Sequence, residues 1–453
     1  MAIVSPTARR LILLSGLLLL PRLAAAQAVG ARSGLDVNEL QAELATLRGE
    51  VAALKAALAD VQRALGVPAP GGQAGARVSP EMVEVLKSQV EEQAQVKVES
   101  ASRMPVKVFG TILANTFVNS SDAIWLENPN FVGNPGATGP RGSMSATARQ
   151  SRIGLETSGI TVGPWQATGT MIADFYGGVT GFQTGTVMGL PRLLYAFGRL
   201  ETDRTAIEIG QDHAILAPRD PTSLAALSFP LLYRSGNLYL RTPQVRIDRR
   251  VSPGVALSMG IVAPIAGDAS TDYEFAPPAG AGERSMRPAF EGRLEFARGS
   301  SSSAGELAVG GSGHYGWRRT AAATTMAAWA AAVDFNVRAG RLGASGEFFA
   351  ADNAEAFGAG ISQSGRAVGG WLEGRFIADH RTTVAGGFGA DRPRHALGRV
   401  TRQDNRTLFG TTIVQLTPEL AASLEYRWMQ TDLGLVPVTR RNHHVNAVFS
   451  VKF

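Results

Sequence analysis

The last eleven residues, HHVNAVFSVKF (443–453), alternate between apolar and polar side chains. Alternate side chains of a β-strand point to opposite faces, so this segment has one apolar and one polar face. The apolar set is Val445, Ala447, Phe449, Val451 and Phe453, and the polar set, apart from Val448, is His444, Asn446, Ser450 and Lys452. Taken alone, the pattern fits the last strand of a soluble sheet or a strand of a membrane barrel.

The first 26 residues have the parts of a secretory signal peptide. Arg9 and Arg10 precede the apolar run LILLSGLLLL (11–20), and Ala24 and Ala26 match an A-x-A cleavage site before Gln27. The run is too short for a spanning helix, and no later stretch reaches 18 consecutive apolar residues. We therefore expect export, and a membrane role would require a β-barrel.

The composition excludes several classes of protein. The chain has no cysteine, which excludes a disulfide framework and a lipoprotein anchor. Residues 105–453 hold 33 basic and 28 acidic side chains, but the basic ones are not clustered, so nucleic-acid binding is not expected. We expect no cofactor and no metal, because the histidines lack metal-ligand spacing and are predicted at solvated rims: His213, His314, His380, His395, His443 and His444.

A coiled coil is predicted in residues 27–66. From residue 35 onwards, positions a and d of a heptad are apolar, and Glu43 with Arg48 and Glu50 with Lys55 stand at g and the following e. The a positions are Val37, Leu44, Val51, Leu58 and Leu65, and the d positions are Leu40, Leu47, Leu54 and Val61. The pattern predicts parallel self-association, as a dimer or a trimer. Residues 67–104 are predicted as a Pro/Gly-rich linker followed by a short helix.

From residue 105 onwards the hydrophobic period is two, and the segment 105–453 is predicted as an all-β domain of sixteen strands. They lie near 106–118, 145–157, 164–175, 191–201, 204–211, 240–248, 254–263, 286–298, 304–317, 326–338, 341–351, 366–378, 381–390, 403–416, 419–431 and 441–453. Long and short connections alternate, and an even strand number returns both ends of the domain to the short-turn side. This organisation predicts a 16-stranded antiparallel transmembrane β-barrel.

The same alternation separates the lumen from the lipid. In FEGRLEF (290–296) the apolar side chains oppose Glu291, Arg293 and Glu295, and in the stretches 371–378 and 420–428 they oppose Glu373, Arg375, Glu425 and Arg427. An arginine facing lipid at the bilayer midplane costs roughly 2 to 4 kcal/mol, so the charged faces should line the lumen. Phe449, Val451 and Phe453 should then face lipid.

The sequence resembles the DcaP-like porins, trimeric outer-membrane channels of Gram-negative bacteria with an N-terminal periplasmic coiled coil. The residues that carry the resemblance are ARQSRIGLETSG (148–159), MIADFYGG (171–178), RLLYAFGRL (192–200), IGQDHAI (209–215) and RTPQVRI (241–247). The chain departs from the family pattern at DHAILAP (212–218) and at Leu194, where a second inward arginine would be expected.

The resemblance implies a homotrimer surrounded by outer-membrane lipid and lipopolysaccharide, with the coiled coil in the periplasm. It implies passage of small anionic solutes, dicarboxylates among them. The terminal aromatic residue resembles the signature by which the outer-membrane assembly machinery recognises barrel strands.

A constriction loop is expected at residues 212–239, the longest connection, which follows the fifth strand. It contains Asp212, Arg219 and Arg234. Alternation and the family motifs point Arg152, Arg192 and Arg246 inwards, with Arg241 near the loop exit. Arginine favours anions in pores. Our hypothesis is that these arginines and a set of carboxylates lie on opposite sides of the lumen and form a transverse electric field biased towards anions. The carboxylates are Asp212, Glu291, Glu295, Glu373 and Glu425. The alternative is that each arginine pairs with a neighbouring carboxylate and stabilises the wall.

Three other functions compete with that of a general porin. A phosphate-selective porin would need a row of lysine or arginine side chains along the pore. Lys107 and Lys452 are the only lysines after residue 104, which speaks against this function. An enzyme is not expected, because no serine and histidine are arranged for catalysis. A structural barrel that tethers the envelope through the coiled coil remains open.

Overall fold

The computed structural model of the chain describes residues 106–133, 142–179, 187–264, 279–299, 305–319, 322–360, 365–396, 402–433 and 438–453. The chain divides into two units, residues 1–92 and 93–453, and only the second contains described residues. The predicted signal peptide, coiled coil, linker and short helix all lie outside the described residues. Within the described ranges, no helix is long and apolar enough to cross a membrane.

Sixteen antiparallel strands form one sheet. They are β1 (Val106–Asn119), β2 in two segments (Ser143–Thr147 and Arg152–Val162), β3 (Trp165–Asp174), β4 (Arg192–Glu201), β5 (Thr205–His213), β6 (Arg241–Ser252), β7 (Val255–Val262), β8 (Ala289–Gly299), β9 (Gly305–Arg319), β10 (Thr325–Ala339), β11 (Leu342–Asp352), β12 (Gly365–Ile377), β13 (Thr382–Ala396), β14 (Arg402–Gln415), β15 (Leu420–Leu433) and β16 (Val438–Lys452).

Each strand pairs with its neighbours in the chain, and β1 pairs with both β2 and β16, which closes the barrel. The predicted sixteen-stranded antiparallel barrel is therefore confirmed. The predicted continuous strand at 145–157 is wrong in one detail, because residues 148–151 interrupt it. A small ladder of Ala123–Ile124 with Phe131–Val132 in the first long connection was not predicted.

The outer wall is apolar and the inner wall is polar. On β8, Phe290, Leu294 and Phe296 are 41% to 55% exposed, whereas the intervening Glu291 and Arg293 are 5% and 8% exposed. The same inversion occurs on β15 and β16, where Leu424 and Phe449 are exposed and Glu425 and Asn446 are buried. A surface of exposed aliphatic and aromatic side chains over this many strands fits lipid rather than water.

The connection between β5 and β6 folds into the lumen of the barrel. We call residues 214–240 the lumen loop; their apolar side chains pack in three clusters against small or aromatic residues of the inner wall. Leu216 and Leu238 contact the alanines and Phe349 of β10 and β11; Leu231 and Leu232 contact Trp371 and Phe409; and Ala225 contacts Leu113 and Val448. Trp371 thus faces inwards with Glu373.

Phe453 extends the pairing between β1 and β16, the seam at which the first and last strands meet. The Phe453 N–H donates to the Gly110 carbonyl at 3.1 Å, and the Gly110 N–H donates to the Phe453 carbonyl at 2.9 Å. A Cβ placed on Gly110 would lie 2.6 Å from both the Phe453 ring and the Arg152 carbonyl oxygen. Only glycine therefore fits beneath the terminal ring.

We expect Gly110→Ala to destabilise the folded barrel by about 1–3 kcal/mol, because the new methyl group overpacks a seam bounded by backbone. Gly374→Ala on β12 is the matched control, since no atom lies within 4 Å of the position that its new methyl group would occupy. The fraction that migrates as folded barrel in unheated gel samples, followed against temperature, measures the difference. Equal melting of the two variants would contradict this role of Gly110.

Candidate functional site

Inward carboxylates hold the lumen loop in place. Glu291 on β8 accepts the Ile215 N–H at 2.7 Å and the Leu216 N–H at 3.0 Å. Glu373 on β12 accepts the backbone N–H of Thr222 at 2.7 Å and its hydroxyl at 2.8 Å. Two further carboxylates act alike: Glu425 accepts the Ser223 hydroxyl at 2.5 Å, and Asp391 accepts the Gly236 N–H at 2.8 Å. These buried carboxylates face the loop rather than open water.

The break in β2 supplies another anchor. Gln150, fully buried, accepts the N–H groups of Leu227 at 3.0 Å and Ser228 at 3.1 Å, and its amide donates to the Ala225 carbonyl at 2.8 Å. Its side chain reaches the loop because residues 148–151 leave the ladder. The neighbouring Arg149 pairs with Glu127 of the first long connection.

Three arginines converge on the edge of the lumen loop. Arg152 donates to the Leu227 carbonyl, and Arg192 and Arg241 donate to the Ser228 carbonyl at 3.1 and 3.2 Å. We call Arg152, Arg192 and Arg241 the arginine triad. All three side chains are partly exposed, and among the described residues only Asp174 forms an ion pair with the triad, through Arg192 at 2.7 Å.

Aromatic rings surround the triad. The Arg192 guanidinium lies 4.7 Å from the Phe229 ring centroid, and the Arg241 guanidinium lies 4.6 Å from the Tyr239 ring and 5.1 Å from the Tyr195 ring. Burial raises the pKa of the Tyr176 phenol, which therefore stays neutral. The ring centroid of Tyr176 lies 4.2 Å from the Arg149 guanidinium and 5.6 Å from that of Arg192. The rings fix the guanidinium groups without neutralising them.

The other predicted lumen arginines are paired locally. Arg293 contacts Asp334 and Glu295, Arg427 lies 2.6 Å from Glu425, and Arg375 lies 3.4 Å from Glu373. Arg219 of the loop contacts Asp334 and Glu295, and Arg246 contacts Asp248 at 2.8 Å. For these residues the geometry favours the wall-stabilising interpretation over a field across the lumen.

Two cavities lie on the short-turn side of the lumen loop and share Pro218 and Arg219. The first, of about 1250 Å³, is lined by seven arginines and four carboxylates. Its cations are Arg199, Arg204, Arg219, Arg246, Arg249, Arg250 and Arg293, and its acids are Glu201, Asp203, Asp248 and Glu295. The second, of about 670 Å³, carries Arg219, Arg338 and Arg375 with Asp220 and Glu306. The first cavity lies along the same wall as the triad, and its lining has more arginines than carboxylates.

The remaining predicted residues are not members of the triad. Asp212 is partly exposed at the end of β5, on the inward face shared with Glu208. Arg234 lies between the rings of Phe131, 5.1 Å away, and Tyr233, 5.3 Å away. Leu194 is buried.

The expectation that all histidines lie at solvated rims is wrong for two of them. His314 is buried and contacts Glu291 at 2.9 Å, and His444 is buried and hydrogen-bonds Asn119 at 3.0 Å. Both occupy inward strand positions, where the lumen loop and the first connection cover them. In the part of the chain that the structure describes, no three His, Asp or Glu side chains are grouped to hold a metal ion.

The sequence-based prediction missed Gln150, Asp174, Asp334 and Asp391. Asp334 shares the inward face of β10 with Ala330 and Ala332, so strand alternation alone would have found it. Asp391 and Gln150 gave no such signal, because their importance comes from contacts with a loop distant in sequence.

We expect Gln150→Ala to loosen the lumen loop, because it leaves two buried N–H groups and one carbonyl without a partner. The free energy of unfolding should fall by about 2–5 kcal/mol, and single-channel current should become noisier. Gln415→Ala is the matched control, since the Gln415 amide also hydrogen-bonds the backbone, donating to three carbonyls, but at an exposed turn. Thermal unfolding and single-channel recordings of both variants provide the measurement; an equally quiet Gln150→Ala channel would contradict the anchor role.

The sixteen strands, the inverted polarity and a lumen loop after the fifth strand define the fold of outer-membrane porins. The chain is similar to the outer membrane channel DcaP of Acinetobacter baumannii, with a TM-score of 0.61 and 15% identity over 78% of this chain and 98% of that one. It is also similar to an anion-selective porin from Comamonas acidovorans, with a TM-score of 0.51 and 11% identity over 78% of this chain and all (100%) of that one.

A third similar structure is OprB of Pseudomonas putida, with a TM-score of 0.50 and 9% identity over 80% of this chain and 97% of that one. No family model and no curated protein matches the sequence. At these identities the likeness shows the fold, and the resemblance to the DcaP channel is confirmed at that level.

Proposed function

We propose that this chain is an outer-membrane porin of the DcaP-like family that passes small hydrophilic solutes and prefers anions, dicarboxylates in particular. The arginine triad carries the proposal, because three partly exposed guanidinium groups stand against one carboxylate, Asp174. Arginine stays charged and binds carboxylates bidentately, so neighbouring guanidinium groups suit a doubly charged acid. The lumen loop acts as the constriction in this proposal.

The basic cavity below the loop supports the same direction of selectivity. Its lining has seven arginines and four carboxylates, and Glu208 and Asp334, which pair with Arg199, Arg219 and Arg293, reduce the excess to one positive charge. Anions that pass the triad would therefore remain favoured as far as the short turns. The paired residues Arg293, Arg375 and Arg427 shape the wall and contribute little net field.

Planar-bilayer recordings under a potassium chloride gradient test the preference for anions. The reversal potential should have the sign set by chloride, and liposome swelling should be faster with succinate than with an uncharged sugar or a cationic amino acid of similar size. A reversal potential of the opposite sign would refute the anion preference while leaving the porin fold intact.

The assembly follows from the same family proposal. The chain would form a homotrimer in the outer membrane of a Gram-negative bacterium, with its coiled coil in the periplasm. The outer-membrane assembly machinery would recognise its C-terminal strand. Deleting residues 35–98 tests the coil: if the coil only aids assembly, the conductance of each barrel stays nearly unchanged while the yield of trimer falls. A large drop in conductance would show that the coil controls solute passage.

A further inference from the structure

The first long connection, residues 120–133, also folds into the lumen. Within it Glu127 is fully buried and Asn130 is 3% exposed. Inward asparagines of two strands hold its backbone: Asn446 on β16 donates to the Glu127 carbonyl at 2.8 Å, and Asn405 on β14 donates to the Asn130 carbonyl at 2.8 Å. The segment is therefore a fixed part of the inner wall.

Two asparagines join this segment to the lumen loop. The Asn128 amide donates to the Phe229 carbonyl of the loop at 2.8 Å, and its oxygen accepts from Arg427 of β15 at 2.7 Å. Asn405 donates in addition to the Arg234 carbonyl of the loop at 2.5 Å. The first connection and the lumen loop are thus held in one arrangement by shared partners.

Trp125 extends from this anchored segment towards the arginine triad. Its ring centroid lies 4.3 Å from that of Phe229 and 5.9 Å from that of Tyr176. The Arg192 guanidinium lies over the same two rings, at 4.7 and 5.6 Å. Trp125 is itself half-buried, so part of the residue remains accessible from the lumen beside the triad.

The backbone at Trp125 is strained. Its φ of 63° lies in the left-handed region, which is unfavourable for a residue with a Cβ atom. Such strain persists only where surrounding contacts impose it, and it is concentrated at binding sites. Glycine would make the same turn without strain, so the turn alone does not require tryptophan.

We infer that Trp125 is a specificity-determining residue of the channel. The carboxylate of a solute meets the triad while its hydrocarbon part contacts the accessible part of the indole, which offers a large apolar surface. Among anions of equal charge and size, the more apolar one is then favoured, because a weak additional contact raises the chance of entry and still allows release. This inference rests on the function proposed above and adds a preference within the anions.

Bi-ionic reversal potentials with lactate and isobutyrate test the inference, since these two monovalent acids have the same shape and differ by a hydroxyl in place of a methyl group. The wild type should favour isobutyrate roughly 2- to 4-fold, the effect of burying about one methyl group. Trp125→Gly and Trp125→Asn should equalise the two permeabilities. Both residues tolerate the left-handed backbone, so both variants should fold.

Two further variants separate the ring from simpler causes. Trp125→Phe keeps an aromatic surface and should retain most of the preference for isobutyrate. Trp317→Ala is the matched control, because Trp317 also packs against two aromatic residues, Tyr315 at 5.2 Å and Phe290 at 6.4 Å, but on the outer wall. It should keep the wild-type ratio.

The chloride-to-potassium permeability ratio of the same channels keeps this test apart from that of the proposed function. It should stay at the wild-type value in every Trp125 variant, because none of them removes a charge. A wild type that does not distinguish the two acids, or a Trp125→Gly channel that still does, would overturn the inference. Cation selectivity of the wild type would refute the proposed function instead.

Discussion

The variant Arg152→Gln, Arg241→Gln is expected to lose most of the preference for anions. These two guanidinium groups lie at the edge of the lumen loop, contact the Leu227 and Ser228 carbonyls, and have no ion-pair partner among the described residues. Glutamine keeps a hydrogen-bond donor for the loop while removing the charge. Two unit charges acting on a passing ion in a partly hydrated lumen should change the chloride-to-potassium permeability ratio roughly 5- to 20-fold.

The measurement is the reversal potential in planar bilayers, which should move towards zero in the double variant. Arg338→Gln is the matched control, because Arg338 also lines a lumen cavity but lies 3.8 Å from Glu306. Conductance should change little in either variant, since the loop stays in place. If the double variant kept the wild-type reversal potential, selectivity would have to come from the basic cavity on the short-turn side instead.

The barrel was predictable because its signals are local. Alternation in FEGRLEF (290–296) fixes which side chains face out, and the alternation of loop lengths fixes the rim at which each strand turns. Both follow from the geometry of a single strand, with its period of two and its apolar band facing lipid. The inward direction of Arg152, Arg192 and Arg246 was predicted from the same alternation together with the family motifs.

The partners of these side chains were not predictable, because they depend on a loop that crosses the lumen. Ser223 meets Glu425 across 202 positions of sequence, and Gln150 meets Ala225 across 75. The alternation of the strand predicts that Glu425 points inwards, but it does not predict whether water or a loop covers the carboxylate. The break at residues 148–151 was missed although the consecutive polar residues Arg149, Gln150 and Ser151 interrupt the alternation of the strand there.

The lumen loop also contains an apolar run, SLAALSFPLLY (223–233), which is unusual for a water-exposed connection. Leu231 and Leu232 are buried against the inner wall, and Leu224 and Leu227 are half-buried there. This composition is the one sequence signal that the loop folds inwards, and it explains how the loop is stabilised as well as positioned.

Excising most of the lumen loop should have the largest effect on the channel. The Ala214 N–H donates to the Leu240 carbonyl at 3.0 Å, and His213 pairs with Arg241, so the loop begins and ends at adjacent points of the wall. Replacing residues 216–238 by a short glycine-rich turn therefore closes a hairpin without distorting β5 or β6. A sixteen-stranded barrel without its filling leaves a wide aqueous channel, so the single-channel conductance should rise roughly threefold or more.

The same excision should weaken the preference for anions by a separate physical route. It removes Arg219 and Arg234. It also removes the N–H groups of Leu216, Thr222 and Gly236, which leaves the carboxylates of Glu291, Glu373 and Asp391 more exposed to water. The control is the full-length variant Arg219→Gln, Arg234→Gln, which removes the same two cations but keeps the obstruction and should keep the wild-type conductance. Single-channel conductance and reversal potential of the two variants separate the effects. A loop-free barrel that conducts no better than the control would contradict the role of the lumen loop as the constriction.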